Sequence, residues 1–217
     1  MAAPTERAGS YIAVEGPIGV GKSSLARLLA DELNARLVLE EVETNPFLSR
    51  FYQDAEKYAL PAQLYFLLTR YAQQRDLSQR DLFSGAIVAD YLFAKDRIFA
   101  SLNLLPDELA LYQKVYSLLD AQTPKPDLVV YMNAAVDVLA GRLRKRNRDF
   151  ERHISLEYLD QVSAAFRDFF FYYDESPLLV VETSHIDFVE DSEDLRELLR
   201  EIKNPPTGVQ HFVPRKH

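Results

Sequence analysis

The chain has 217 residues, of which 47% are hydrophobic and 27% charged, and its formal net charge at pH 7 is −8. This composition is typical of one soluble globular domain, and the negative charge argues against a nucleic-acid polymer as partner. The chain has no cysteine, which excludes disulfides and thiolate metal sites and fits a reducing cytoplasm. No apolar run approaches the ~18 residues of a membrane span, and the first residues lack a secretory signal. We expect one cytoplasmic domain over 1–217, with no membrane partner and with loose tails at about 1–9 and 205–217.

The first predicted elements flank a glycine-rich loop. An apolar run over 11–14 predicts a short buried strand, and leucines at helical spacing predict a helix over 24–33. Between them lies a match to G-x-x-x-x-G-K-[ST], in the strand–loop–helix context that this phosphate-binding motif requires. Its backbone can wrap round an anion, Lys22 would reach the β- and γ-phosphates, and Ser23 would bind Mg²⁺. The residues predicted to bind a nucleoside triphosphate are Gly16, Pro17, Ile18, Gly19, Val20, Gly21, Lys22, Ser23 and Ser24.

Short apolar segments alternate with helical patterns along the rest of the chain. Strands are predicted at 36–40, 86–89, 127–132 and 178–181, and longer helices at 61–80, 93–102, 106–121, 135–147, 156–175 and 192–203. The alternation predicts an α/β fold class, a P-loop NTPase fold with a five-stranded parallel sheet flanked by helices. Right-handed crossovers place the loops after the strands at one edge of the sheet. The acidic residues Glu15, Glu40 and Asp90 and the segment after Glu182 should therefore converge.

Three features bear on the chemistry at this edge, and each has a structural alternative. Glu40, at the end of the second strand, could take the proton of a hydroxyl that attacks the γ-phosphate, or could be a solvated strand-end acid. Gln63 and Arg70 lie seven residues apart and so share one face of an apolar helix. They could bind the edge of a nucleobase, or Gln63 could lie in water while Arg70 pairs with an acid.

A basic cluster over 142–152 is the third feature. Six of its eleven residues are Lys or Arg, and Arg142/Arg146 and Arg144/Arg148 are i, i+4 pairs. Such a run is often a solvated basic face, but beside a P-loop it predicts an arginine lid over the phosphates. No N-K-x-D guanine motif is present, which disfavours a GTPase switch, and the small size of the chain disfavours a mechanical ATPase. A small-molecule kinase remains.

Six segments in this order resemble the deoxynucleoside kinase family over nearly the whole chain. They are EGPIGVGKSS, LEEVETNPFLSRFY, QLYFLLTR, VADYLFAKDRIF, PKPDLVVYM and RLRKRNRDFERHISLEYL. Within the family, the chain is most similar to the bacterial branch that acts on purine deoxynucleosides, deoxyguanosine and deoxyadenosine. The resemblance implies a homodimeric salvage enzyme that uses ATP and Mg²⁺ to phosphorylate the 5′-hydroxyl of a 2′-deoxynucleoside.

The resemblance also implies a role for each matching residue. Glu40 would be the catalytic base, and Tyr52 and Glu151 would hold the sugar 3′-hydroxyl. The base would be read by Gln63, Arg70 and Asp96. The phosphates would be bound by Arg142, Arg146 and Arg148, with Asp90 near Mg²⁺ and the 5′ end of the substrate, and with Asp187 and Phe188 against the donor adenine.

Two positions depart from the family's pattern. The D/E-R-S motif here reads Asp90-Tyr91-Leu92, so the arginine that contacts the acceptor in many relatives is replaced by tyrosine. We expect Lys95 to supply the missing charge beside the substrate. Asn147 stands in the lid where relatives usually have glycine, which would alter how the lid closes.

Two other functions remain open. A nucleoside monophosphate kinase such as thymidylate kinase shares the fold, but its anionic acceptor needs no base, and Tyr91 in place of arginine argues against it. A non-catalytic nucleotide-binding protein would bind ATP without turnover, and the presence of Lys22, Ser23 and Glu40 argues against that function.

Overall fold

The computed structural model describes residues 10–80 and 85–214 of the chain. Its strands are β1 (Tyr11–Glu15), β2 (Arg36–Val38), β3 (Ile87–Ala89), β4 (Leu128–Asn133), β5 (Leu178–Glu182) and β6 (Val209–Phe212). They form a six-stranded sheet in the order β2-β3-β1-β4-β5-β6, and every neighbouring pair is parallel. The predicted α/β fold with a parallel sheet flanked by helices is therefore confirmed.

Helices connect the strands and cover both faces of the sheet. They are α1 (Lys22–Glu32), α2 (Leu48–Phe51), α3 (Ala55–Arg80), α4 (Asp96–Asn103), α5 (Pro106–Asp120), α6 (Val136–Arg146), α7 (Leu156–Phe171) and α8 (Ser192–Lys203). Over residues 10–80 and 85–214, no helix has the length and hydropathy that a membrane span requires.

The core lies on the two sides of the central strands. All five residues of β1 are buried, as expected for an inner strand of a parallel sheet. On one face, Val14 packs with Leu25 and Leu29 of α1. On the other face, Tyr131 of β4 stacks on Phe170 of α7, with 4.2 Å between the ring centroids. The two apolar faces hold the strands in place, and this fixes the positions of the loops at their carboxyl ends.

The sequence-based prediction of five strands and a frayed segment from 205 is wrong. Residues Val209–Phe212 form β6, which pairs with β5 so that Val209 lies opposite Leu178. β6 is an edge strand with a neighbour on one side only, so polar residues such as Gln210 and His211 are tolerated in it. These residues leave no apolar pattern from which the strand could be predicted. Its hydrogen bonds to β5 come from the backbone, which the residue types do not encode. The expected loose ends at 1–9 and 215–217 lie outside the described residues.

Two element boundaries also differ from the prediction. Helix α3 begins at Ala55 rather than at Pro61, so that Pro61 lies inside it. Ala59 and Ala62 on either side of the proline are buried, and α3 packs closely on α2 here. This packing compensates for the backbone hydrogen bond that proline cannot donate. Strand β2 ends at Val38 rather than at Glu40, which leaves Glu40 in the loop that faces the cleft.

Candidate active site

The phosphate-binding loop connects β1 to the N-terminus of α1. Gly21 has a φ of 105°, a conformation that L side chains rarely adopt, and a Cβ on Gly16 would lie 2.3 Å from the carbonyl oxygen of Met132. Lys22 Nζ donates to the carbonyl oxygens of Gly16 and Pro17 at 2.8 Å and 3.2 Å. Burial, followed by the nearby Lys95 ammonium, lowers the pKa of Lys22 to about 8. The loop therefore holds a partly buried cation where a triphosphate would bind.

Ser23 and Asp90 bring two oxygen ligands together beside this loop. Ser23 Oγ donates to Asp90 Oδ2 at 2.5 Å, and Asp90 Oδ1 accepts from the backbone N–H of Glu40 at 2.6 Å. Mg²⁺ prefers oxygen ligands and is commonly held by one or two protein groups together with phosphates and water. Within the described residues there is no larger cluster of three acidic, His or Cys groups that could hold a metal by themselves. The adjacent hydroxyl and carboxylate fit a Mg²⁺ ion that is shared with nucleotide phosphates.

Glu40 lies between two cationic side chains at the centre of the cleft. Lys95 Nζ donates to Glu40 Oε2 at 2.7 Å, and the guanidinium of Arg70 pairs with Glu40 Oε1. The Glu40 side chain is only 11% exposed, so it is not a solvated strand-end acid. Burial lowers the pKa of Lys95 to about 8, although the Glu15 carboxylate acts against this shift. The carboxylate thus lies at the carboxyl edge of the sheet, beside the P-loop.

Glu15 is a buried residue of this site to which the sequence reasoning gave no role. Its Oε1 accepts from the N–H of Gly16 at 2.9 Å, and its Oε2 accepts from the N–H of Leu92 at 2.8 Å. Lys95 Nζ lies 3.8 Å from the same Oε2 atom. Glu15 therefore connects the start of the P-loop to the segment after β3. The sequence does contain a signal for this role: Glu15 is an acidic residue at the last position of an otherwise apolar strand.

Gln63 and Arg70 line another part of the cleft, and Asp96, which is fully buried and outside the lining, pairs with Arg70. Arg70 pairs with Asp96 as well as with Glu40, and burial lowers the pKa of Arg70 to about 10. The alternative in which Gln63 lies in water at a helix end is wrong, because Gln63 is 4% exposed. Its Oε1 atom has no hydrogen-bond partner among residues 10–80 and 85–214. Apolar walls that the sequence analysis did not assign surround this group: Val42, Leu48, Phe51, Phe66, Phe99 and Tyr158.

The last residue of α6 and the segment that follows it bring two arginines to the rim of the cleft. Arg146 pairs with both oxygens of Glu151, and its Nε lies 3.0 Å from Oε2. Arg148 lies 3.5 Å from a carboxylate oxygen of Glu43 and 3.9 Å from one of Glu151. Glu151 itself is buried near Tyr52, whose pKa is raised by burial. Asn147 ends α6 at a φ of 53°, a left-handed conformation that asparagine tolerates better than other residues with a side chain.

Arg142, Asp187 and Phe188 lie on the far side of the P-loop and outside the lining of the cleft. Arg142 donates to the carbonyl oxygens of Val20, Thr183 and Ile186 at 3.1, 2.8 and 3.3 Å. Phe188 is buried beneath Gly21 and belongs to the core. The Asp187 side chain accepts from two backbone N–H groups of its own turn. The structure thus brings Arg146 and Arg148 to the cleft but places Arg142 in a clasp between the P-loop and the loop after β5.

Comparisons with known proteins identify the family to which the chain is similar. The family model described as "Deoxynucleoside kinase" matches residues 12–205. The chain is 35% identical to a deoxyguanosine kinase of Bacillus subtilis (strain 168), over 89% of this chain and 96% of that protein. It is 31% identical to a deoxyadenosine kinase of Lactobacillus acidophilus, over 88% of this chain and 94% of that protein.

A solved structure of deoxyadenosine kinase from M. mycoides shares the fold. Its TM-score is 0.75 at 23% identity, and the match covers 89% of this chain and 99% of that one. The family match spans the P-loop, the strand ends that carry Glu15 and Asp90, and the arginine segment after α6. The chain therefore belongs to the deoxynucleoside kinase family.

Proposed function

We propose that this deoxynucleoside kinase transfers the γ-phosphoryl group of ATP to the 5′-hydroxyl of a purine 2′-deoxynucleoside, deoxyguanosine or deoxyadenosine. The observation that carries the proposal is the position of Glu40, a buried carboxylate held beside the P-loop by Lys95. A neutral hydroxyl gains from a base at this point, whereas a phosphate acceptor does not. The arrangement therefore favours a nucleoside over a nucleoside monophosphate as acceptor.

The chain's own residues account for the main parts of phosphoryl transfer. The P-loop amides and Lys22 bind the triphosphate, and Glu40 accepts the proton of the attacking 5′-hydroxyl. Ser23 and Asp90 would hold Mg²⁺, which supplies charge neutralisation for the phosphates. Arg146 and Arg148 lie at the rim with carboxylate partners and would exchange these for phosphate oxygens as charge develops there. Tyr52 and Glu151, adjacent to this rim, would hold the sugar.

The purine preference rests on the base-binding group and on the relatives. Gln63 has an unpartnered amide oxygen in the cleft, and an amide offers both a donor and an acceptor. Together with Arg70 and Asp96 it is compatible with guanine, adenine or cytosine. The relatives described as deoxyguanosine and deoxyadenosine kinases favour a purine.

A steady-state panel of deoxyguanosine, deoxyadenosine, deoxycytidine and thymidine tests the proposal. With ATP and Mg²⁺, we expect kcat/KM for the best purine to exceed that for thymidine by at least ~100-fold, since unpaired polar groups in the pocket penalise the wrong base. Thymidine monophosphate and guanosine serve as controls for the monophosphate kinase alternative and for ribose exclusion. A pyrimidine as best substrate would refute the preference. Binding of ATP without turnover of any nucleoside would refute the function.

The clasp made by Arg142 leads to a separate prediction. Because Arg142 links the carbonyl oxygens of Val20, Thr183 and Ile186, Arg142→Gln should loosen the donor side of the P-loop. We expect KM for ATP to rise about tenfold with a smaller change in kcat, which is the pattern for a lost binding interaction. Arg144→Gln, an exposed arginine of the same helix, is the matched control and should match the wild type. If kcat fell with an unchanged KM, Arg142 would instead act on the transferring phosphoryl group.

We further propose that the enzyme is a cytoplasmic homodimer. Leu68 of α3 and Leu111 and Leu118 of α5 are each at least half exposed, on two helices that pack against each other. Exposed leucines on adjacent helices suit an interface between subunits. Sedimentation would distinguish a dimer from a monomer.

A further inference from the structure

One side chain, Arg70, contacts both the group placed to read the base and the group placed to accept the hydroxyl proton. One terminal nitrogen of its guanidinium pairs with Asp96 Oδ1, and the other pairs with Glu40 Oε1. Its guanidinium carbon lies 4.7 Å from the centre of the Phe66 ring. Gln63, on the same face of α3, has no such contact with Glu40 in the described part of the chain. Arg70 is therefore the direct physical link between the two subsites.

Arg70 and Glu40 are largely buried, so Arg70 has to exchange one partner for another rather than release it to water. The side chains of Arg70 and Glu40 are 6% and 11% exposed. A charge at such a site costs free energy unless it stays paired. Within the described residues, Arg70 Nε and Asp96 Oδ2 have no hydrogen-bond partner. The unused donor lies on Arg70, which lines the cleft, whereas Asp96 is fully buried behind it.

Glu40 is held from two sides, and of its two cations it is Arg70 that shares a helix face with Gln63. Lys95 donates to Oε2 at 2.7 Å and is anchored by Glu15, 3.8 Å away. Arg70 occupies Oε1 and also lines the cleft next to Gln63. An acceptor atom on a bound base can replace Oε1 as the partner of Arg70, because both atoms offer a lone pair to the N–H groups of the guanidinium.

We propose that Arg70 couples recognition of the nucleobase to activation of Glu40. A base that accepts a hydrogen bond from the guanidinium draws it away from Oε1, and this oxygen then takes the proton of the 5′-hydroxyl. The 5′-oxygen forms its bond to the γ-phosphorus while the bond to the ADP oxygen breaks, and the proton ends on Glu40. The inference rests on the proposed function and deepens it. A base without an acceptor still binds, but it leaves Arg70 on Glu40.

The coupling predicts that a change of the nucleobase alters kcat as well as KM. The probe is 1-(2-deoxyribosyl)indole, which has the shape and 5′-hydroxyl of a purine deoxynucleoside but no acceptor on its ring. With saturating acceptor and ATP, we expect the wild-type kcat for this probe to be at least ~30-fold below that for the best deoxypurine. In Arg70→Met this kcat gap should shrink to less than ~3-fold, because no guanidinium blocks Oε1 with either acceptor.

Gln63→Met is the matched control. It removes a polar group of the same face, so KM for the deoxypurine should rise while the kcat gap of the wild type remains. Arg70→Lys is a second variant for the case in which Arg70→Met does not fold. Arg70 places a separate terminal nitrogen on each carboxylate, whereas lysine carries all its donors on one nitrogen, so we expect the gap to shrink here too.

Equal wild-type kcat values for the deoxypurine and the probe would overturn the coupling and leave the proposed function intact. So would a full kcat gap that persists in both Arg70 variants, since Arg70 would then only bind the base. Absence of wild-type turnover with every deoxynucleoside would instead refute the proposed function itself.

Discussion

Replacement of Glu40 by glutamine is expected to lower kcat by about 10²- to 10⁴-fold, the range that a positioned general base contributes. The amide keeps the size of the side chain but cannot accept the hydroxyl proton. It also offers an N–H₂ group to Lys95 or Arg70, both of which are donors, so one of the two buried pairs is lost. KM for ATP should change little, because the P-loop is built from a separate segment.

The measurement is steady-state kinetics with the best deoxypurine at saturating ATP. Glu41→Gln is the matched control, since Glu41 is the next residue along the chain and is exposed. Its kcat should equal that of the wild type. Wild-type turnover by Glu40→Gln on every accepted nucleoside would show that another group, or no group, acts as the base.

Lys95→Met is the second change with a large expected effect. The substitution removes the cation that donates to Glu40 Oε2 at 2.7 Å and leaves a side chain of similar length. Because Tyr91 stands in place of an arginine, we propose that Lys95 supplies the charge at the acceptor end of the site. We expect kcat to fall about 10²- to 10³-fold, as for the loss of one preorganised electrostatic group. Near-normal turnover by this variant would contradict the role.

The pH dependence provides an independent test of Lys95. Burial lowers the pKa of Lys95 to about 8, so activity should decline as the pH rises through about 8 and the ammonium is lost. Lys95→Arg keeps its charge, so the decline of activity at alkaline pH, the alkaline limb of the pH profile, should move to higher pH in this variant. The bound triphosphate favours the ammonium form of Lys22, so Lys22 should not produce this limb. An identical limb in wild type and Lys95→Arg would assign the titration to another group.

The free energy of unfolding should rise over the same pH range in which activity falls. The folded pKa of Lys95, about 8, is below its ordinary value of 10.5, so the folded chain loses this proton first. Between these two values the unfolded chain binds more protons, and the contribution of Lys95 to the free energy of unfolding rises with pH. Loss of activity above pH 8 without loss of stability, measured by urea unfolding at each pH, would therefore indicate a change in the site rather than unfolding.

The sequence by itself determined the features that are local or periodic. The P-loop is a contiguous motif whose glycines are required by backbone conformation, so its structure follows from about eight neighbouring residues. The alternation of apolar strands and helices determined a parallel sheet, and crossover handedness then brought Glu15, Glu40 and Asp90 to one edge. The family resemblance added expected roles, which spacing alone had left open for Gln63 and Arg70.

Only the tertiary structure decided which side chains are partners. Strand β6 forms because β5 offers it a free backbone edge, and α3 continues through Pro61 because α2 packs against that turn. Arg142 lies in a clasp of backbone carbonyls, although it is in the same basic run as Arg146. The pairing of Arg70 with both Asp96 and Glu40 joins three segments that are distant in sequence. Such contacts depend on the order of strands and the depth of burial, and neither is encoded in the spacing of residues along one segment.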